Sequence, residues 1–368
     1  MLRRMVLTLV VALALPMAVA CGGDSDDSTT PAATPAPAIS EAPSPTEAAA
    51  TPDQSPAVED ATSAPATSEA PSPTEAAATP DQSLAIEDAT GETVTLDAPA
   101  ARVVCLTGLC VDTMFMLGVK PVAANDLLHK HDAYWGPGEN EIGAISGSFF
   151  EPSLEDIAQA NPDIVIGLYA VHEGLRPGLA SIAPLFIVNP IGVDGMLAHV
   201  AEIGTLLGME EEAAAASAAF ESRLEEYVAG VTTKRSVMVV FGSDVNIGAD
   251  TLCTPPVDAL GRAVTYGLDF PGCIHGEFPS FSVEQLLSID PDVIFVQTFG
   301  FGPTPPQPVS EQLADNAIWR ELAAVQNGEV YEVDFFVWGT SRGIRGTTVA
   351  LDEAMPKIYP EAFPAPLP

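Results

Sequence analysis

Short apolar runs alternate with helical patterns along the chain from Arg102 onward. Arg102–Leu106 (RVVCL) reads as a strand. Thr107 and Gly108 form a turn, Val111 to Leu117 carries helical spacing, Gly118 stops it, and Pro121–Ala124 opens a second strand. Ser153–Gly167 (SLEDIAQANPDIVIG) follows the same plan. Its Leu154, Ile157 and Ala158 share one helical face, Asn161-Pro162 breaks the helix, and Ile164–Ile166 is a buried strand. Runs that are apolar at every position predict strands covered on both faces, as in a parallel sheet between helices.

The second half repeats this organisation. Ser282–Val296 (SVEQLLSIDPDVIFV) aligns without gaps to Ser153–Gly167 at an offset of 129 residues. Pro291-Asp292 matches Pro162-Asp163, Glu284 matches Glu155, and Ser236–Phe241 stands in for Arg102–Leu106. Two α/β lobes are predicted, at 92–190 and 235–368. The stretch 191–234 joins them. Met196, Val200, Ile203, Leu206 and Leu207 recur at helical spacing, and Ala213–Val228 is rich in strong helix formers. This predicts a stiff helical connection that Gly204 and Gly208 can interrupt, and hence small lobe motion.

The first ninety residues are of another kind. No Phe, Tyr or Trp precedes Phe115, and no Lys or Arg lies between Met5 and Ala101. A segment so poor in aromatics cannot bury much of a core, so folding is expected to begin near Glu92. Arg3 and Arg4 precede an apolar run from Met5 to Leu15, too short to span a bilayer. Ala18, Val19, Ala20 and Cys21 follow, and resemble the lipobox of bacterial lipoproteins, with Cys21 as the lipidated residue. A plain secretory signal cut near Ala20 is the alternative. Residues 22–91 read as a mobile Pro/Ala/Thr/Glu-rich tether. It holds a duplication: Ser40–Ser55 recurs identically as Ser68–Ser83, and PAVEDAT (Pro56–Thr62) recurs as LAIEDAT (Leu84–Thr90).

Charge and cysteines narrow the function. Fourteen Lys+Arg against 50 Asp+Glu give a net charge of −36, which excludes nucleic acid as a partner and docking on an anionic membrane through a basic patch. The only expected membrane attachment is the lipid. Cys105, Cys110, Cys253 and Cys273 form an even set in an exported chain, which favours disulfides. Local pairing suggests Cys105 with Cys110 and Cys253 with Cys273. Neither pair has CxxC spacing, so zinc is the weaker reading.

Together these segments resemble the helix-bridged class of ABC-transporter substrate-binding proteins, which carry ferric siderophores, haem and cobalamin. The resemblance covers the whole folded body and rests on the order of RVVCLTGLCVDTMFMLGVKPVA, EPSLEDIAQANPDIVIG, the central helical stretch, SFSVEQLLSIDPDVIFV and IWRELAAVQNGEVYEVDFFVW. Cys105 and Cys110 depart from the usual pattern. The resemblance implies two Rossmann-like lobes with mostly parallel sheets, joined by a long rigid helix, with the ligand cleft between them. It implies a monomer on the outer face of the bacterial cell membrane that hands its cargo to an ABC permease dimer with its ATPase subunits. It also implies that Glu155 and Glu284, at equivalent positions in the first turns of their helices, meet the two permease subunits.

In open parallel sheets, ligands bind beyond the carboxyl ends of the strands. The residues there are Tyr134 and Trp135 after Pro121–Ala124; Tyr169, His172 and Arg176 after Ile164–Leu168; Phe299 and Phe301 after Val293–Gln297; and Trp338, Arg342 and Arg345 after Val330–Val337. Aromatic walls with a few cations suit a bulky anionic chelate. The N-terminus of a last helix near Arg342 and Arg345 would add to this pull. A ferric siderophore is the expected cargo. Haem, with Tyr169 or His172 as axial ligand, and cobalamin are alternatives. A bare metal held by His129, His131 and Asp132 is a weaker one, and no resident metal or cofactor is expected. No nucleophile–base motif, GxSxG, phosphate-binding loop or HExxH is present, so the chain does not read as an enzyme.

Overall fold

The structure is a computed structural model that describes residues 83–128, 142–242, 247–267, 280–298 and 307–368. The first sheet is parallel. Its strands are β3 (Val103–Cys105), β4 (Ala123–Asn125), β5 (Gly143–Ile145), β6 (Ile164–Leu168) and β7 (Leu185–Val188), in the order β5-β4-β3-β6-β7. A hairpin precedes it: β1 (Leu84–Glu87) pairs antiparallel with β2 (Thr93–Leu96). Helices α1 (Gly108–Met116) and α2 (Leu154–Ala160) belong to this lobe.

The hairpin moves the start of the fold from the expected Glu92 back to Leu84. Leu84 and Ile86 pack on the core, and the Ala89 N–H donates to the Ile187 carbonyl of β7. Asp88 is buried, bonded by Thr90 and Arg176. The second LAIEDAT copy is therefore folded protein and not tether. Its few apolar residues suffice because the rest of the lobe supplies the other side of the contact.

The connection is helical, as expected, but in two pieces: α3 (Gly192–Leu207) and α4 (Glu210–Gly230). Gly208 breaks it. At φ 67° its N–H closes on the Gly204 and Thr205 carbonyls, a left-handed helix end that glycine adopts at least cost. Gly204 stays helical.

The second lobe contains β8 (Ser236–Gly242), β9 (Ile247–Ala249), α5 (Pro255–Ala263), β10 (Thr265–Tyr266), β11 (Ser280–Phe281), α6 (Val283–Ile289), β12 (Val293–Gln297), α7 (Ala323–Asn327), β13 (Val330–Val333) and α8 (Ile344–Ile358). Among the described residues the sheet order is β11-β9-β8-β12-β13, with β10 also on β8. β12 is parallel to β8 and β13; β9 is antiparallel to β8.

The internal repeat appears in atomic detail. Ser153 and Ser282 cap α2 and α6; Asn161 and Asp290 end them at φ 46° and 44°. Asp163 then accepts from the Arg102 N–H at 2.8 Å, and Asp292 accepts from the Ser236 N–H at 2.8 Å. Each aspartate thus ties the turn before one strand to the start of its neighbour.

Strand residues alternate between two cores. Val103, Ile164, Ile166, Phe186, Val237, Val239, Val293 and Phe295 face one cluster that also holds α1, α3, α5 and α8. Val104, Val165 and Ile187 face a separate core on the far side of the first sheet, and Met238, Val240, Ile294 and Val296 one beyond the second. The inner faces of the two sheets therefore bury against the same helices.

Candidate functional site

The carboxyl edge of the first sheet is covered by the loop from Ser146 to Ser153. Gly147 and Pro152 bridge its base, and the Ser148 N–H donates to the Glu151 carbonyl at 3.2 Å. Asn125, at the end of β4, donates from Nδ2 to the Ser148 carbonyl at 3.4 Å. His172, after β6, reaches the Phe149 carbonyl with Nε2 at 2.8 Å. Phe149 sits edge-on to His172 at 5.3 Å and to Phe150 at 5.4 Å. Phe150 is left 63% exposed, an unusual place for a phenyl ring on a pinned turn. The sequence reading passed over this pair. Its signal was two aromatics between Gly147 and Pro152, directly after an apolar strand. Half-buried Tyr169 begins the adjoining turn, its N–H on the Val188 carbonyl at 2.9 Å.

His172 serves this turn and is not a ligand donor. It is fully buried, and its Nδ1 accepts the Leu168 N–H at 2.9 Å. Nε2 must then carry the proton it donates to Phe149. Burial lowers its pKa, against opposing pulls from the Phe149 carbonyl and Glu173. With both nitrogens engaged, His172 cannot serve as an axial haem ligand.

On the second lobe, Arg342 follows β13 and its succeeding turn. It is half-buried and holds φ 53°, a left-handed conformation that costs a non-glycine residue about 1 kcal/mol. Asp250 is its electrostatic counterpart. Burial raises the Asp250 pKa; Arg342 and hydrogen bonds from Gln297 Nε2 (2.9 Å), Thr254 Oγ1 (2.8 Å) and the Thr251 N–H oppose the rise. A strained arginine beside a buried carboxylate is a preorganised cation.

Three expected site residues lie elsewhere. Trp338 is fully buried, stacked on Phe295 at 4.9 Å with Nε1 on Glu353 Oε2 at 3.0 Å. It is core, because the turn after β13 folds back over the sheet. Arg345 lays its guanidinium over the Phe115 ring at 4.3 Å. Phe115 lies in the last turn of α1, which runs away from the carboxyl edge, so this side chain points away from the expected cleft. Arg176 pairs with Asp88 and Glu92 and donates to the Leu185 carbonyl at 2.9 Å. Leu185 opens β7 at the opposite end of the sheet from Tyr169, so Arg176 clasps the N-terminal hairpin. Nor is the end of α8 open to a ligand, since Asp112 already accepts its Arg345 and Gly346 N–H groups.

Glu155 and Glu284 are both exposed in the first turns of α2 and α6. Cys105 and Cys110 form a disulfide with Cα atoms 5.5 Å apart. Cys253 is disulfide-bonded too. Cys273 lies outside the described residues, as do Cys21, His129, His131, Asp132, Tyr134, Trp135, Phe299 and Phe301. Among the described residues no three His, Cys, Asp or Glu side chains group as a metal site, and no helix is long and apolar enough to cross a membrane.

Two lobes with mostly parallel sheets, helices shared between them, partly exposed aromatics at the carboxyl edge of the first sheet and an arginine on the second lobe define a solute-binding protein fold. Residues 103–335 match the Peripla_BP_2 family, periplasmic binding protein, and the chain belongs to that family. The Fe(3+)-citrate-binding protein YfmC of Bacillus subtilis is 25% identical over 262 residues, 70% of this chain and 81% of its own. Two solved structures have the same fold. The petrobactin-binding protein YclQ of Bacillus subtilis superposes with a TM-score of 0.65 at 18% identity, over 75% of this chain and 99% of its own. The triscatecholate siderophore binding protein FeuA from Bacillus subtilis, complexed with ferri-bacillibactin, gives 0.63 at 20%, over 76% and 99%.

Proposed function

We propose that this chain is the lipid-anchored, extracytoplasmic binding component of an ABC importer, and that it captures a ferric chelate of siderophore or citrate type without chemical change. The observation that carries the cargo class is Arg342, held in a left-handed turn beside buried Asp250 in the second lobe. A preorganised guanidinium suits a bulky anion, and relatives and structural neighbours bind ferric citrate and siderophores by name. Glu155 and Glu284, on repeat-related first turns, are the surface for a two-subunit permease. Cys21 carries the lipid.

The test is calorimetric titration of the full chain, carrying Cys21→Ala to keep it in solution. The probes are ferric dicitrate, ferric desferal, a ferric catecholate, haem and cobalamin. Micromolar or tighter saturable binding of one ferric chelate, returned intact, supports the reading and names its class. Binding of haem alone would replace it and make Tyr169 the candidate iron ligand. Failure of every ferric chelate would overturn the cargo.

A further inference from the structure

The lobes are joined by reciprocal aspartate caps. Asp112, on α1 of the first lobe, caps α8 of the second. Its Oδ2 accepts from Ser341 Oγ at 2.8 Å and the Gly346 N–H at 2.7 Å, and its Oδ1 from the Arg345 N–H at 3.0 Å. Asp258, on α5 of the second lobe, accepts from the Val193 N–H at 2.8 Å, in the first turn of the helix that leaves the first lobe. The two caps differ in depth. Asp112 has no exposure, whereas the Asp258 side chain keeps 27% and also meets Arg262.

The Asp112 joint is built tightly from both sides. A Cβ on Gly343 would stand 2.2 Å from Asp112 Oδ1, and one on Gly108 would stand 2.0 Å from the Thr340 carbonyl oxygen. On the first-lobe side, the Cys105–Cys110 disulfide and the Thr107 cap hold the start of α1. On the second-lobe side, the three bonds bracket Arg342: one fixes Ser341 before it, and two fix Arg345 and Gly346 after it. The left-handed turn at Arg342 is thus clamped by a residue of the other lobe.

From this we infer that Asp112 is a positioning residue for cargo capture, holding Arg342 of the second lobe in place for an anionic ligand from the first. This deepens the ferric-chelate reading and rests on it. Asp112 does not touch cargo. It determines where the strained arginine sits relative to the Phe149–Phe150 turn, which belongs to its own lobe. Asp258 brackets no such residue and provides the comparison.

The test uses the full chain carrying Cys21→Ala, with Asp112→Asn, Arg342→Gln, their double variant, Asp258→Ala and Gly108→Ala. Amide hydrogen exchange at Arg345 and Gly346 is measured without cargo, and affinity is measured for the ferric chelate that the unaltered sequence binds. Asp112→Asn is expected to speed exchange at those amides by about tenfold or more while the interior of α1 stays protected. It is expected to weaken chelate binding about tenfold, and to weaken it no further in the Arg342→Gln background, since coupled sites are non-additive. Gly108→Ala, which wedges the joint and leaves Asp112 intact, should weaken binding in the same way and stands in if Asp112→Asn does not fold. Asp258→Ala should leave affinity unchanged. Unchanged exchange in Asp112→Asn overturns the clamp. Multiplying effects of Asp112→Asn and Arg342→Gln, or an equal loss in Asp258→Ala, overturn positioning in favour of general stiffness. If the unaltered chain binds no ferric chelate, the cargo reading falls and the positioning role with it, and the exchange measurement still decides whether Asp112 holds α8.

Discussion

Nδ1 of His172 accepts the backbone N–H of Leu168 at 2.9 Å, four residues back along the chain. That bond fixes the imidazole tautomer, turns Nε2 toward the Phe149 carbonyl, and so holds the exposed Phe150 over the end of the sheet. A residue expected to meet cargo instead shapes the turn beside it.

Stability should fall on mild acidification because of this ring. Burial lowers the folded-state pKa of His172 below its unfolded value of about 6.5. The unfolded chain then takes up a proton that the fold resists, so the stabilisation is complete above about pH 6.5 and declines as pH falls toward the folded value. Melting temperatures between pH 7.5 and 5 should show this decline, and His172→Gln should flatten it. Equal slopes for both proteins would refute the assignment.

The Arg176–Asp88 clasp should matter to stability and not to cargo. Burial raises the Asp88 pKa, but hydrogen bonds from Thr90 and Arg176 outweigh it and leave the value lowered. Its stabilisation is therefore present above the unfolded carboxylate value and lost as pH falls through the folded one. Arg176→Ala strands a buried carboxylate and should cost about 3 kcal/mol in urea unfolding. Chelate affinity should stay within about twofold, well under the 1.4 kcal/mol of a tenfold change.

Opening the Cys105–Cys110 link frees a short loop at the start of α1. Replacing both cysteines with serine should lower stability by about 2 kcal/mol, the chain-entropy value for so small a ring. Denaturant midpoints with and without the bond would measure it; an unchanged midpoint would contradict it.

Trp338 should behave as core. Trp338→Ala should cost about 3–5 kcal/mol through the cavity left against Phe295, while Trp338→Phe at unaltered chelate affinity would separate packing from recognition. A large affinity loss in the phenylalanine variant, with stability kept, would restore the cleft assignment.

Transport and binding should separate at the two repeat-related glutamates. Glu155→Arg with Glu284→Arg should abolish cargo-dependent uptake in cells yet leave titrations unchanged. Normal uptake by the double variant would remove them as the permease surface.

Sequence alone determined what depends on near neighbours. The strands at 102–106, 121–124, 164–168, 236–241 and 293–297, the helix break at Asn161-Pro162 and the 129-residue repeat were legible because hydrophobic period and breakers act over a few residues. The Cys105–Cys110 pairing was legible for the same reason. Tertiary structure alone decided what depends on distant partners. Arg176 reads as a loop cation until Asp88, 88 residues earlier, occupies it. Leu84–Thr90 reads as tether until β7 gives it an edge to bond. Arg342 and Arg345 look alike in sequence, yet one guanidinium is balanced by Asp250 and the other lies on Phe115. Asp112 carries no local signal at all, because its three donors come from residues 229 to 234 positions away. Charge and hydrogen-bond energies fall off over a few ångströms, so side-chain type tells what a residue can do, and only the fold decides what lies within its reach.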